Sequence, residues 1–354
     1  MIGRVFKYAY AQAKTRAMKG KLLNADDWHY LLRMRSMKDL FRYLRGTDYR
    51  EAFSTLPLVP PDVGSVVAVL YGSLFTSYAK LLKAVPADSS RLLRNLLRRY
   101  DAENLKTILR SIWQGRSQHD TISMCYGMGR LSILPMDELM GFREIPNALT
   151  LLRHTLFYTP LRHALPQFNA QGSIFPLEIA IDTAVFESIV AGVKHLKGVD
   201  RRGVDGLTGK LIDGVNLCWL VRFRHLYGLS PEETINYILP GGRYLGLKTL
   251  GTLARAADLP SFLAALPSPC REPLGGAQEW ADIRYGIENW FVHELYRVFH
   301  EDPFQINLEA AYLLLKEMEV RALDSLISAV SAGESPERLP GLIVLPMKEE
   351  VVRV

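Results

Sequence analysis

The sequence predicts an all-α protein built from three similar helical units, and two observations carry that prediction. The stretch DAENLKTILRSIWQG (Asp101 to Gly115) returns as DGVNLCWLVRFRHLYG (Asp213 to Gly228), with Asp, Asn-Leu and the following apolar-apolar-Arg in the same register. A degraded third copy runs through KEMEVRALDSLISAVSAG, where Ala322-Leu323 stands in for Asn-Leu and Gly333 closes the segment. Counted from the Asn position the intervals are 112 and 106 residues, and self-similarity at a near-constant period marks a repeat architecture. Secondly, apolar residues recur at the three-to-four spacing of amphipathic helices, while strand-like alternation is scarce.

Taken in chain order, the N-terminal MIGRVFKYAYAQAKTRAMKGKLL lacks the uninterrupted apolar core of a signal peptide. LFRYLRGTDY (Leu40 to Tyr49) is a second repeat landmark, resembling LTLLRHTLF (Leu149 to Phe157) and FLAALPSPC (Phe262 to Cys270); Leu44, Leu152 and Leu266 fall 108 and 114 residues apart. The Pro-rich LPLVPPDVG (Leu56 to Gly64) and PGG (Pro240 to Gly242) read as interhelical loops. GSVVAVLYGSLF (Gly64 to Phe75) is the longest apolar run and falls short of the ~20 residues that span a bilayer, so no membrane crossing is predicted. A third landmark follows the same period at Leu74-Phe75, Val185-Phe186 and Leu295-Tyr296.

From Leu92 a helix is predicted on the stripe Leu93, Leu96, Leu97, Tyr100, Leu105, Ile108, Leu109 and Ile112, capped by Ser89 or Ser90 and stopped by Gly115. GVDGLTGKL (Gly203 to Leu211) has the superficial look of a phosphate loop. Leu211, however, stands where a metal-binding Ser or Thr is required, and the segment reads as a loop before the helix carrying Asn216. The last helix is predicted from an Asn307 cap through Tyr312, Leu315, Ala322, Leu323, Leu326 and Val330 to Gly333. Beyond it, GLIVLPMKEEVVRV is broken by Pro346 and reads as an extended or disordered tail. The domain reading is therefore helical unit 1 over 1–118, unit 2 over 119–232, unit 3 over 233–345 and a tail over 346–354.

The composition is that of an ordinary globular chain, with 48% hydrophobic and 23% charged residues among 354. Three cysteines supply neither a disulfide framework nor a metal cluster, and the eight histidines lack ligand spacing. No catalytic, cofactor-binding or metal-ligating residue is assigned, and no cofactor is expected. The net charge of +6 gathers at RLLRNLLRRY, VDRRG and RFRH. Aromatics do not interleave with these basic spots as a nucleic-acid stacking platform requires, so no nucleic-acid partner is assigned.

The chain resembles the C subunits of bacterial and archaeal V/A-type ATPases (ATP synthases), the counterparts of the d subunit of eukaryotic V-ATPases. The resemblance rests on YAYAQAKTRAMKGKLL, DLFRYLRGTDY, RYDAENLKTILR, the PGG turn after YIL, and AYLLLKEMEVRAL. Ala322 departs from the family pattern, which favours Asn there. The resemblance implies three similar helical units in a pseudo-threefold arrangement forming a funnel-shaped socket. Such a protein is non-catalytic. It receives the foot of the central shaft, rests on the cytoplasmic face of the membrane proteolipid ring without inserting, and passes torque between the catalytic head and ion translocation.

Arg110, Arg222 and Arg224 follow the repeated Asn-Leu, and Lys316 and Arg321 stand in the third copy; these five are the expected partner-binding wall. Asn104 and Asn216 are expected to be structural, bonding a loop or a neighbouring helix and fixing helix register, with a lining role in the socket as the alternative. An independent helical-repeat scaffold is the alternative function.

Overall fold

The computed structural model describes residues 2–54, 56–57, 62–334 and 344–346. Among these residues there are helices and no strands. The chain opens with α1 (Ile2–Lys19), α2 (Ala25–Leu31), α3 (Met37–Leu44) and α4 (Arg50–Phe53), followed by the long pair α5 (Val63–Leu82) and α6 (Ala87–Gln114). The short α7 (Gln118–Ser123), α8 (Met136–Met140) and α9 (Ile145–Ala148) lead into α10 (Tyr158–Gln171) and α11 (Phe175–His195). The pattern then recurs: long α12 (Gly198–Val221); short α13 (Pro231–Ile235), α14 (Leu247–Ala254), α15 (Leu259–Ala265) and α16 (Ser268–Arg271); then α17 (Trp280–Val298) and α18 (Asn307–Ser331).

Two compact units result, Ala87–Leu196 and the remainder of the chain. Within Ala87–Leu196, α11 lies along α6 and α10 lies along α11. Leu92 and Leu96 of α6 and Ile181, Val185 and Ile189 of α11 are buried. Between these two helices Lys106 and Asp182 pair at 2.9 Å, and Arg110 bonds Glu178.

The other unit is organised around α18, which is buried on nearly every side, as a helix apolar around its circumference must be. α5, α1, α3, α12 and α17 all pack on it. A 20-residue α5 is long and apolar enough to cross a membrane by length and composition, which extends the twelve-residue run seen in the sequence. Its stripe of Val66, Leu70, Leu74 and Tyr78 is fully buried, and α18 is its principal neighbour; α5 is a core helix.

The three helices α6, α12 and α18 stop alike. Gly115, Gly228 and Gly333 have φ of 66°, 68° and 74°, a conformation that a side chain resists and glycine accepts. Beyond each, the next N–H folds back onto the helix: Arg116 onto the Ser111 carbonyl, Leu229 onto Phe223 and Glu334 onto Ala329, each at 2.9 Å. The second copy has one more residue between Asn and Gly than the first. That residue is absorbed as a π-helical turn over Arg222–Leu226, with the Tyr227 N–H on the Arg222 carbonyl at 2.9 Å.

Three expectations are corrected. The segment GVDGLTGKL is not a loop but the interior of α12. Packing overrides the poor helix propensity of glycine there: a Cβ on Gly209 would meet the Arg243 backbone nitrogen at 3.0 Å, and the Arg243 N–H bonds the Gly209 carbonyl at 3.2 Å. Neither Ser89 nor Ser90 caps α6, which begins earlier, directly after Pro86; both serines are buried inside it, and the Ser90 hydroxyl bonds the Ala87 carbonyl at 2.8 Å. Asn307 is the first residue of α18 rather than its cap, and its side-chain amide donates to Glu301 at 3.2 Å.

Of the LPLVPPDVG loop, residues 58–61 lie outside the described residues, and Asp62 caps α5 through the Ser65 N–H. Most of the C-terminal tail also lies outside them. Val344 is buried, and the Pro346 carbonyl accepts the Tyr296 hydroxyl at 2.7 Å.

Candidate functional site

The repeated polar residues turn inward, and each does the same work. Asn104 of α6 is 1% exposed. Its Oδ1 accepts the Tyr126 N–H at 2.7 Å, and its Nδ2 donates to the Tyr126 carbonyl at 2.9 Å. Asn216 of α12 brackets Leu239 in the same way, with both bonds at 2.9 Å. A carboxamide matches a peptide unit donor for acceptor, so one side chain pairs a loop residue that has no strand or helix partner of its own.

One helical turn earlier an aspartate holds the next strip of the same loop. Asp101 accepts the Ser132 hydroxyl at 2.6 Å and the Ile133 N–H at 3.3 Å. Asp213 accepts three consecutive N–H groups, from Arg243 at 2.9 Å, Tyr244 at 2.8 Å and Leu245 at 3.2 Å. The PGG turn is thereby explained, since a Cβ on Gly242 would stand 2.2 Å from Asp213 Oδ1. Burial pushes both carboxyls above the usual aspartate value, against the hydrogen bonds that hold them down.

In α18 the clamp has a different chemistry. Ala322 has no amide to offer, but Glu319 stands three residues before it, as Asp101 does before Asn104. Glu319 is fully buried. It accepts the Leu23 N–H at 2.6 Å, the Tyr49 hydroxyl at 2.8 Å and the Lys316 ammonium at 2.8 Å. That ammonium also sits 3.8 Å from the centroid of the Tyr49 ring. Burial and the adjacent Glu319 raise the Tyr49 hydroxyl well above its ordinary pKa.

Leu23 lies just before α2, as Leu245 lies just before α14. The last helix thus clamps a strip contributed by the other end of the chain. A basic residue precedes each acid by three positions, giving Arg98-x-x-Asp101-x-x-Asn104, Lys210-x-x-Asp213-x-x-Asn216 and Lys316-x-x-Glu319-x-x-Ala322. Arg98 bonds Asp101 and the Leu131 carbonyl, whereas Lys210 reaches across to Glu294 on α17.

Replacing Asn104 by Ala leaves the Tyr126 N–H without its partner, and replacing Asn216 by Ala leaves the buried Leu239 N–H and carbonyl without theirs. Each change is expected to lower stability by ~1–3 kcal/mol, read from urea midpoints; an unchanged midpoint would remove the residue from this role.

The five basic residues expected at a partner surface fall into two groups. Arg110, Arg222 and Arg321 are exposed; Arg110 bonds Glu178, and Arg321 bonds Glu288 at 2.9 Å. Arg224 is half-buried and donates to the Ala254 carbonyl at 2.7 Å and to the Leu229 carbonyl. Lys316 is buried in the Glu319 clamp. Arg110 belongs to the Ala87–Leu196 unit and the others to the second.

Arg321 lines a small cavity together with a residue missed in the sequence, Arg284 of α17. Burial pushes the Cys218 thiol up to about 11, with Glu288 acting the same way and Arg284, Arg222 and Arg321 against it. Arg284 had a sequence signal, four residues before Glu288 on the same helix.

A groove of about 950 Å³ lies beside the Leu23 strip. Tyr30 and Tyr43 stack there with centroids 5.0 Å apart, and Tyr43 donates to Asp27 at 2.7 Å. Its charges largely neutralise one another through Lys21–Asp48 and Arg42–Asp39, both at 3.1 Å. Among the described residues no group of three or more His, Cys, Asp or Glu is placed to hold a metal.

Long helices that each hold a loop through a buried acid and that share the same glycine stop define an all-helical repeat protein. A family model described as ATP synthase (C/AC39) subunit matches residues 11–340, and the chain belongs to that family. It is similar to the A-type ATP synthase C subunit of Methanocaldococcus jannaschii, 22% identical over 345 residues covering 95% of this chain and 86% of the relative. The Pyrococcus abyssi protein of the same description is 23% identical over 350 residues, covering 97% and 92%. That of Haloferax volcanii is 23% identical over 352 residues, covering 95% and 97%.

Proposed function

We propose that this chain is the non-catalytic central-stalk subunit of a rotary A/V-type ATPase. It joins the central shaft to the cytoplasmic face of the membrane proteolipid ring as a peripheral, uninserted socket, and transmits torque between ATP hydrolysis or synthesis and ion translocation. The observation that carries the reading is the acid clamp recurring in α6, α12 and α18. A part that passes torque must not let its helices slide against their loops, and each clamp fixes a loop to a helix at an interior position that water does not loosen. The A-type ATP synthase relatives, matched over nearly the whole chain, support the same assignment.

In this proposal the repeating module starts at the clamp helix. The three modules are residues 87–196, 197–306 and 307–334 together with 1–86, the last assembled from both ends of the chain. They keep the period of the sequence units 1–118, 119–232 and 233–345 with a shifted phase, and form the pseudo-threefold, funnel-shaped socket. The exposed guanidinium groups of Arg222, Arg284 and Arg321, with Arg110 in the first module, form the wall that meets the shaft. Arg224 and Lys316 brace that wall from within.

Charge complementarity at such a wall sets orientation and association rate more than raw affinity. Reversing Arg222, Arg284 and Arg321 to Glu is expected to leave the circular dichroism unchanged. Association with purified shaft proteins should slow by about tenfold or more, with a shallower salt dependence. A folded triple variant that binds the shaft at the original rate would remove these residues from the interface.

A further inference from the structure

α1 is built inside out. Its inward face carries Tyr8, Gln12 and Thr15, each less than 5% exposed. Tyr8 donates to Asp200 at 2.9 Å, Gln12 to the Gln305 carbonyl at 3.1 Å and Arg16 to the Phe299 carbonyl at 3.4 Å. The outward face carries Phe6, 85% exposed, and Tyr10, 67% exposed, continued along the same stripe by exposed Ala9, Ala13 and Ala17. A helix held by hydrogen bonds on its buried side while presenting two aromatic rings one turn apart is arranged for a second, less polar neighbour.

The charge of α1 says which neighbour. IGRVFKYAYAQAKTRAMK contains five basic residues and no acidic one. Lys7 is compensated by Asp200 at 3.1 Å, but nothing acidic on the helix offsets Lys14, which lies 5.4 Å from the centroid of the Tyr10 ring. Aromatic bodies facing outward on a basic helix that has no acidic residue are the composition of a helix that lies in a membrane interface, rings at the acyl boundary and ammonium groups at anionic headgroups. We propose that α1 is a lipid-contact helix, seating its Phe6–Tyr10 face on an anionic bilayer surface. The inference rests on the proposed function only in placing the chain beside a membrane, and its vesicle-binding test omits every other ATPase component.

The full-length chain is sedimented with vesicles of phosphatidylcholine alone and with vesicles containing phosphatidylglycerol. Binding to the anionic vesicles, weaker in high salt and reduced about tenfold by Phe6→Ser with Tyr10→Ser, is the expected result. Both positions are solvent-facing, and circular dichroism checks the fold. Lys14→Glu should weaken binding in the same direction, and a Phe6→Trp variant should be quenched by brominated phosphatidylglycerol more than the parent chain. Absence of binding to anionic vesicles overturns the proposal, as does binding that the double serine variant leaves unchanged. If that variant instead loses only its incorporation into the ATPase, the face belongs to a protein neighbour, and the lipid assignment fails while the central-stalk reading stands.

Discussion

Glu319→Ala is expected to be the most damaging single change in the chain. Glu319 accepts from the Leu23 N–H, the Tyr49 hydroxyl and the Lys316 ammonium at 2.6–2.8 Å, all in the interior. Removing it strands a buried ammonium and a buried backbone donor together. Breaking a buried ion pair from one side costs ~3–5 kcal/mol, a large part of the ~5–15 kcal/mol that a folded domain has in hand. The loss should appear as a lowered urea midpoint and as early proteolysis between α1 and α4. Lys316→Met placed on top of Glu319→Leu should recover much of that loss, since an apolar pair of similar volume leaves no uncompensated charge. A single Glu319→Ala variant within ~0.5 kcal/mol of the parent, the range of an ordinary surface change, would mean that α18 does not hold the N-terminal strip.

Glu309→Gln is expected to act in the opposite direction and only in one range of pH. Glu309 is fully buried in the first turn of α18, and neither carboxyl oxygen receives a well-formed hydrogen bond. Burial pushes its pKa up to about 8; Asp200 of α12 pushes the same way, and the backbone amide of Glu309 and Thr15 of α1 offset this only in part. An unfolded glutamate titrates near 4.3. Between those values the folded chain keeps a proton that the unfolded chain has released, so stability falls as pH rises through the window, by up to about 1.4 kcal/mol per unit. Glutamine is neutral throughout and removes that slope. Melting temperatures of the variant and parent should coincide near pH 5 and separate in favour of the variant near pH 8. Equal differences at both pH values would show that the residue acts by packing alone.

Much of the architecture was legible in the sequence because it is enforced locally. The stops at Gly115, Gly228 and Gly333 could be read because a left-handed residue there admits little but glycine. Asn104 and Asn216 stood out as amides repeated in register. Glu319 escaped because the third copy exchanges the aspartate for a longer acid and the amide for alanine. Its partner Leu23 lies 296 residues away, beyond any local pattern. The glycines of α12 read as a loop because propensity is a local quantity, and the Arg243 strip that requires Gly209 is not local. Lys316 and Arg224 read as surface charges because spacing gives a residue's position on a helix and not the direction its cation takes. Arg284 was missed because it lies on a different helix from the repeated motif.

The most direct test of the central claim compares two rates in the same vesicles. ATP hydrolysis and ion uptake are measured with the complete A-type ATPase, with this chain omitted, and with it added back. The socket account predicts that hydrolysis continues without the chain while ion uptake per ATP collapses, and that adding it back restores coupling. Undiminished ion uptake per ATP in its absence would contradict the account.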